Sequence, residues 1–193
     1  RTNSTLTAPS SISDGNLLVL VLSTGVSGGV TPTPPSGFAA ITGSPLEIMV
    51  LPDTWRTRLN VWWKIASGES GSYATAHASA YTEGIMLNWS GPDGTTPINP
   101  TPSTNTGIGT TTTSLGIPTA TDDSGVVFAS VAWDGQGGAA PTGTTPTFTE
   151  RWDGGSTGAL YVATGVLGTA GATGIKTNTN NNLTANSWGA FLI

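Results

Sequence analysis

The sequence predicts an all-β protein, an antiparallel β-sandwich of jelly-roll type built from two internal repeats. Three observations lead to this prediction. No window of about 11 residues places apolar side chains at helical spacing without Gly, Pro or Thr clusters. Short apolar or alternating segments recur along the chain between turns rich in Gly and Pro. The second half also repeats features of the first half at an offset of about 109 residues.

The repeat consists of matching residues that return at this offset. The matched pairs are Pro9 and Pro118, Asp14 and Asp123, and Leu17 and Val126. Further along the chain the offset shortens to about 100, where residues 59–61 match residues 160–162. We therefore expect a single domain over residues 1–193, with repeat one at about 8–90, a connection at 91–107 and repeat two at about 108–193. An unrepeated barrel is the structural alternative.

The predicted strands differ in how many of their faces are apolar. Residues 17–22 and 126–133 are continuous apolar runs, which are typical of strands buried on both sides. Residues 58–65 alternate instead, which predicts a half-buried strand with one solvent-exposed face. Residues 73–79 alternate polar side chains with alanines, and we expect another element to pack closely against the alanines. Further strands are predicted at residues 38–41, 46–51, 85–89, 148–152, 160–166 and 187–193, which makes about eight to ten strands in all.

The connection between the repeats contains several prolines and the turn signal Asp93-Gly94. Its prolines are Pro92, Pro97, Pro100 and Pro102. Because proline cannot donate to a strand ladder, residues 91–107 are not expected to form a central strand.

Composition and charge exclude several classes of function. The formal net charge is −5 with only six Lys and Arg residues, so there is no basic stripe for nucleic acid. The chain has no cysteine, which excludes disulfides and thiolate catalysis. No apolar run approaches the roughly 20 residues that span a bilayer, and no membrane partner is expected.

Candidate catalytic groups are few, and no catalytic residue is predicted. His77 is the only histidine, and it lies in a predicted strand without a Gly-x-Ser-x-Gly turn nearby, so we expect a hydrogen-bonded or exposed strand histidine. Paired carboxylates could act as in glycosidases. The candidates are Glu47, Glu83, Asp122, Asp123, Asp134, Glu150 and Asp153. Since Asp14 and Asp123 occupy matching places before a strand, a turn role is favoured for both.

One acidic doublet is a candidate metal site. Asp122 and Asp123 are adjacent and could bind Ca²⁺ with loop carbonyls, although no D-x-D-x-D-G pattern is present. No other metal site or cofactor is expected.

The aromatic residues carry the clearest binding signal. Trp62 is predicted on the exposed face of its strand with Arg58, Asn60 and Lys64, and Trp55 is predicted in a nearby loop. An indole face beside amide and hydroxyl donors suits the apolar face and hydroxyl rim of a sugar. The same exposed aromatic surface would equally suit a subunit interface.

Four segments resemble modules of bacteriophage structural proteins. They are Asp-Gly-Asn-Leu-Leu at 14–18, Thr-Pro-Pro-Ser-Gly-Phe at 33–38, Val-Trp-Trp-Lys-Ile-Ala at 61–66, and Trp-Ser-Gly at 89–91 with Thr-Pro-Ile at 96–98. They look like the β-sandwich domains of tail fibres and virion surface proteins, which also occur in large secreted bacterial proteins. The second repeat has Ala163-Thr164 in place of Trp62-Trp63, which departs from a doubled binding site.

The resemblance implies a non-enzymatic component of the virion surface, such as a capsid decoration or a tail-fibre module. Its partners would be other virion proteins, copies of itself and host-surface glycans. The alternatives are a carbohydrate-binding module of a secreted protein and, third, a glycoside hydrolase.

Overall fold

The computed structural model describes most of the chain as β-structure. The described residues are 3–27, 31–49, 55–69, 71–77, 81–99, 101–109, 111–114, 116, 124–132, 141–142, 146–154, 159–179 and 186–193. They contain no helix, so none that could cross a membrane. The strands are β1 (Asn3–Thr7), β2 (Leu17–Ser27), β3 (Ala39–Ala40), β4 (Leu46–Met49), β5 (Trp55–Ile65), β6 (Ser72–Ala76), β7 (Tyr81–Trp89), β8 (Ser103–Gly109), β9 (Thr111–Ser114), β10 (Ser124–Ala132), β11 (Thr149–Gly154), β12 (Ala159–Leu167), β13 (Lys176–Thr179) and β14 (Asn186–Leu192). The predicted all-β class is confirmed.

The strands form two large sheets and two small ribbons, and the pairing is antiparallel throughout. The first sheet has the order β3-β5-β2-β7, with β4 also paired to β5. The second sheet has the order β11-β12-β10-β14-β8. β1 pairs with β6, and β9 pairs with β13. Each half of the chain thus keeps to its own sheet and its own ribbon.

The two large sheets pack face to face around a shared apolar core. Val19 and Val21 of β2 contribute from the first sheet, and Ala129 and Val131 of β10 contribute from the second. Every second residue of a strand points to the same face, so these residues leave the alternate positions of both strands facing outwards. This core makes the two sheets a β-sandwich.

Those outward faces are buried as well, under the ribbons and nearby loops. On the first sheet, Leu18 and Leu20 form a second core with Phe38 and with Tyr73 from ribbon strand β6. The second sheet has a comparable outer core. Its members are Val126, Phe128, Ala132, Phe148, Tyr161, Ala163, Leu167, Trp188, Ala190 and Leu192. The prediction that both apolar runs are buried on two sides is confirmed for residues 17–22 and 126–132.

The predicted exposed face of β5 is wrong. Trp62 is only 3% exposed, because it lies in the outer core of the first sheet beside Leu18 and Leu20. Asn60 is fully buried and Arg58 is nearly so. A strand that pairs with the doubly buried β2 lies under the same covering layer, so its alternating pattern does not indicate contact with water.

Strand β6 also faces opposite to the prediction. Tyr73, Thr75 and His77 point inwards, and Ala74 and Ala76 are exposed. The histidine lies within 3.3 Å of the Thr82 hydroxyl through its Nε2 atom, and burial lowers its pKa. The polar side chains of this ribbon, and not its alanines, therefore cover the first sheet.

The connection predicted at 91–107 is only partly irregular. Its last residues begin β8, which forms the edge of the second sheet beside β14. Pro102 is the last proline before the strand, so every residue of β8 has an N–H to donate. The expectation that no central strand forms here agrees with this edge position.

The predicted offset of 109 does not hold in the central strands. It aligns Leu17 with Val126, yet Leu17 lies in the core between the sheets and Val126 lies in the outer core. An offset of 110 aligns Leu17 with Val127, which belongs to the shared core. A shift of one residue exchanges the two faces of a strand, so only the second alignment agrees with the packing.

We predict that Trp62→Ala destabilises the fold. Removing a fully packed indole leaves a cavity and should lower the free energy of unfolding by about 3–5 kcal/mol. Urea denaturation followed by fluorescence or circular dichroism measures the change. The exposed Ile108, replaced by Thr, serves as the control and should stay within about 0.5 kcal/mol. Equal stability of Trp62→Ala and the parent protein would contradict the buried position.

We also predict that acidification weakens the fold through His77. Its pKa is lowered in the folded state by burial, so the unfolded chain takes up the proton first as pH falls through about 6.5. The stabilisation from the neutral ring is present above that pH and is lost below it. Urea midpoints between pH 7.5 and 5.5 should fall more for the parent protein than for His77→Gln. Parallel pH profiles for the two proteins would refute the assignment.

Candidate functional site

Two residues of the predicted binding face, Arg58 and Asn60, are held by contacts within the protein. The Arg58 guanidinium contacts Glu47 with Nη2 at 2.6 Å and donates from Nε at 2.8 Å. Arg56 contacts the other oxygen of Glu47 at 2.6 Å. Asn60 donates from Nδ2 to the carbonyl of Leu22 at 3.1 Å. Arg58 and Asn60 are therefore engaged inside the protein and do not form a solvent-facing sugar site.

Lys64 belongs to a second internal network. Its ammonium forms an ion pair with Glu69, which also accepts a hydrogen bond from the Tyr73 hydroxyl. Burial on its own would raise the pKa of Glu69, but the hydrogen bonds from Lys64 and Tyr73 outweigh it and hold that pKa below its usual value. The Lys64 ammonium also lies 5.6 Å from the centre of the Phe38 ring. This network closes the end of the outer core.

The other predicted positions fall partly outside the described residues. Trp55 begins β5 and so lies in a strand and not in a loop, while its side chain is outside the description. Asp122, Asp123 and Asp134 also lie outside the described residues. Among the described side chains, no group of three His, Cys, Asp or Glu residues could hold a metal ion. The Ca²⁺ site at the acidic doublet stays a prediction.

The described candidate acids lie in three separate places. Glu47 pairs with the two arginines, whereas Glu83 lies on the side of β7 that faces the second sheet. Glu150 pairs with Ala163, and Asp153 pairs with Tyr161, which places both acids on the opposite, outer face of β11. Burial chiefly raises the pKa of the Tyr161 hydroxyl, and these two carboxylates raise it further.

A recess of about 340 Å³ lies where the two sheets meet at their edges. We call it the edge groove. The consecutive residues 86–89 of β7 form its floor, Pro9 and Ser11 form one wall, and Arg151 and Thr164 form the other. β7 is the last strand of the first sheet and β11 is the last strand of the second, so the groove runs along a sheet edge.

A bulge in β11 shapes one wall of the groove. The pairing between β11 and β12 shifts between Glu150 and Trp152, so Arg151 has no partner residue opposite it. A bulge can turn two successive side chains to the same side of a strand. Here Arg151 donates from Nε to the Thr164 hydroxyl at 2.7 Å, and Trp152 donates from Nε1 to Glu83 at 3.2 Å. Trp152 remains 37% exposed, so part of its ring surface is open to a ligand.

The floor of the groove is held by hydrogen bonds and packing. Asn88 accepts a hydrogen bond from Asn16 at 2.9 Å and donates one to the Ser11 carbonyl at 3.1 Å. Trp89 packs against the core between the sheets, and its Nε1 lies 3.0 Å from where a Cβ on Gly125 would stand. Any larger residue at Gly125 would press on this indole. The floor is thus fixed before any ligand arrives.

The groove offers recognition groups of several kinds. It presents a guanidinium, a hydroxyl, an indole and the backbone edge of β7. Sequence patterns did not indicate the groove residues Asn88, Trp89 and Arg151 or the adjoining Trp152. Glu83, which bonds to Trp152, was weighed only as a candidate acid. The sequence signal that could have indicated Arg151 and Trp152 is their position between two acids, at residues 150–153.

Comparison with known proteins adds no identity: no family model, curated protein or solved structure matches this chain.

Proposed function

We propose that this chain is a non-enzymatic structural module of a bacteriophage virion surface, such as a capsid decoration or a tail-fibre module. It works through contacts with other virion proteins and with copies of itself, and it can support host attachment outside the cell. The observation that carries this proposal is the edge groove, because its floor is a strand edge. Strand edges recognise other polypeptides through backbone hydrogen bonds.

The architecture supports a role as a rigid building block. Both sheets are buried on two faces, so most apolar side chains of the central strands are removed from water. Only 9% of the residues are charged, which leaves a surface rich in hydroxyl and amide groups. Such a surface can make close contacts with neighbours without desolvating many charges.

We also propose that the chain consists of two copies of one structural unit. The order β3-β5-β2-β7 in the first sheet corresponds to β11-β12-β10-β14 in the second, and each sheet has a two-stranded ribbon. In each half a threonine bridges one ribbon strand, Thr33 to Ala76 and Thr142 to Thr177. The jelly-roll connectivity is not confirmed, because each half of the chain keeps to its own sheet.

We predict that the purified chain associates with itself or with particle proteins. Sedimentation velocity over a hundredfold range of concentration, on the order of 1 to 100 µM, should show the mean mass rising as contacts form. Pull-down of particle proteins by the immobilised chain provides the second measurement. A chain that stays monomeric throughout and retains no particle protein would overturn the proposed role.

Carbohydrate binding is the second candidate function, and we place it at the exposed Trp152, which follows the groove residue Arg151 in β11. Trp152 is partly exposed, donates a hydrogen bond to Glu83 and follows Arg151 at the β11 bulge. An indole face flanked by charged and hydroxyl groups suits a sugar ring. This surface replaces the buried Trp62 as the stacking residue of the carbohydrate hypothesis.

For this second candidate, we predict that Trp152→Ala weakens glycan binding about fivefold, which corresponds to about 1 kcal/mol of stacking energy. A glycan array identifies a ligand, and titration calorimetry with that ligand measures the affinity of each variant. Ile108→Thr is the matched control, because Ile108 is an exposed apolar residue on the far edge of the same sheet. An array without hits, or unchanged affinity in Trp152→Ala, would rule out the stacking role.

A further inference from the structure

We propose that the outer edge of β7 binds an extended strand supplied by a neighbouring polypeptide chain, in the way that the edge of β14 binds β8. This inference rests on the proposed function, because it specifies the kind of subunit contact that the module makes. It adds where the partner strand binds, that the strand pairs antiparallel to β7, and what chemical class of segment it is.

Apart from the additional strand β4 on β5, the two sheets differ in what lies beside β7 and β14. β14 lies between β10 and β8, whereas β7 pairs with β2 alone among the described strands. β14 and β7 hold corresponding positions beside the central strands of their sheets. The position beside β7 that corresponds to β8 is therefore open within the described part of the chain.

The internal contact between β14 and β8 serves as the template for the proposed contact between β7 and a partner strand. It is antiparallel over seven residue pairs, from Asn186 opposite Gly109 to Leu192 opposite Ser103. The contact is also close, because a Cβ added to Gly107 would lie 2.5 Å from the Trp188 ring. A strand of small residues is what lets β8 lie flat against its neighbour.

The edge groove gives the incoming strand a place to lie. Met86 to Trp89 line the groove consecutively, so their backbone edge faces the recess. Ser11 and Arg151 stand on opposite walls. A recess walled on both sides suits a single extended segment more than the edge of a second folded sheet, which would have to bring its own covering layers between the walls.

The chemistry of the groove defines the partner class. Its walls present a proline ring, two hydroxyl side chains and a guanidinium that already donates to Thr164. An uncharged segment rich in Ser, Thr, Asn and Gly fits these walls, and β8 itself has this composition in Ser-Thr-Asn-Thr-Gly-Ile-Gly. Proline at a paired position would remove a ladder hydrogen bond and is excluded from the partner.

The test uses a capped synthetic peptide with the β8 sequence and the intact, isotope-labelled chain. Amide chemical shifts should change saturably at β7 and the groove walls, and exchange of the β7 amides should slow on binding. The same peptide with proline in place of its second threonine should not bind.

Two matched variants locate the site. Ser11→Trp places a large side chain on an exposed wall residue and should weaken peptide binding about tenfold or more. Ser13→Trp changes an exposed residue of the same loop that does not line the groove, and it should bind as the parent does. Absence of peptide binding, equal binding by both variants, or shift changes at the β8 edge would overturn the inference.

Sedimentation separates this inference from the proposed function. If the chain associates with itself or with particle proteins but the peptide does not bind, the strand-docking inference fails and the structural role stands. Dimerisation by direct pairing of two folded β7 edges, without peptide binding, also overturns the inference. If the peptide binds at β7 while the chain associates with no particle protein or second copy, the docking edge stands and the virion role fails.

Discussion

Both faces of the two central strands are apolar, and this constraint determines the layering of the whole protein. A sheet that is apolar on both sides cannot leave either face in water without losing the burial of several large side chains. β2 and β10 meet this requirement in the same way, with the other sheet on one face and a ribbon with its loops on the other. The protein therefore has four layers, with the two sheets between the two ribbons, although neither ribbon is strongly apolar itself.

Several charged side chains lie at the outer face of the first sheet, where they form contacts within the protein. Glu47 contacts Arg56 and Arg58 together, and Glu69 contacts Lys64 and Tyr73. Removing Glu47 would leave the nearly buried Arg58 without its carboxylate partner, which costs more than the intact pair contributes. These acids and cations are therefore bound to the architecture, and a ligand would have to break the fold's own contacts to use them.

The sequence was sufficient for the class of the fold because its strongest signals are local. Continuous apolar runs and Gly-Pro turns predict strands without knowledge of the partners, and all ten predicted segments contain a strand. The four strands that were missed, β1, β8, β9 and β13, are rich in Thr, Asn, Ser and Gly and lack apolar alternation. Their strand state comes from pairing and from lying over a sheet, which are long-range facts that no short window of sequence contains.

The candidate site also depends on long-range contacts, because it lies at the edges of the sheets and not on a strand face. Alternation along β5 correctly separates its two faces, but it does not tell water from a covering layer, so Trp62 was assigned to the wrong environment. The groove could not be predicted from β7 or β11 alone, because it requires the bulge at Arg151 and the approach of the second sheet. Once every central face is covered, recognition has only ribbons, loops and edges left to use. Among these, a sheet edge presents an ordered row of backbone donors and acceptors. The specificity of binding at such an edge then depends on which partner side chains fit between the flanking walls.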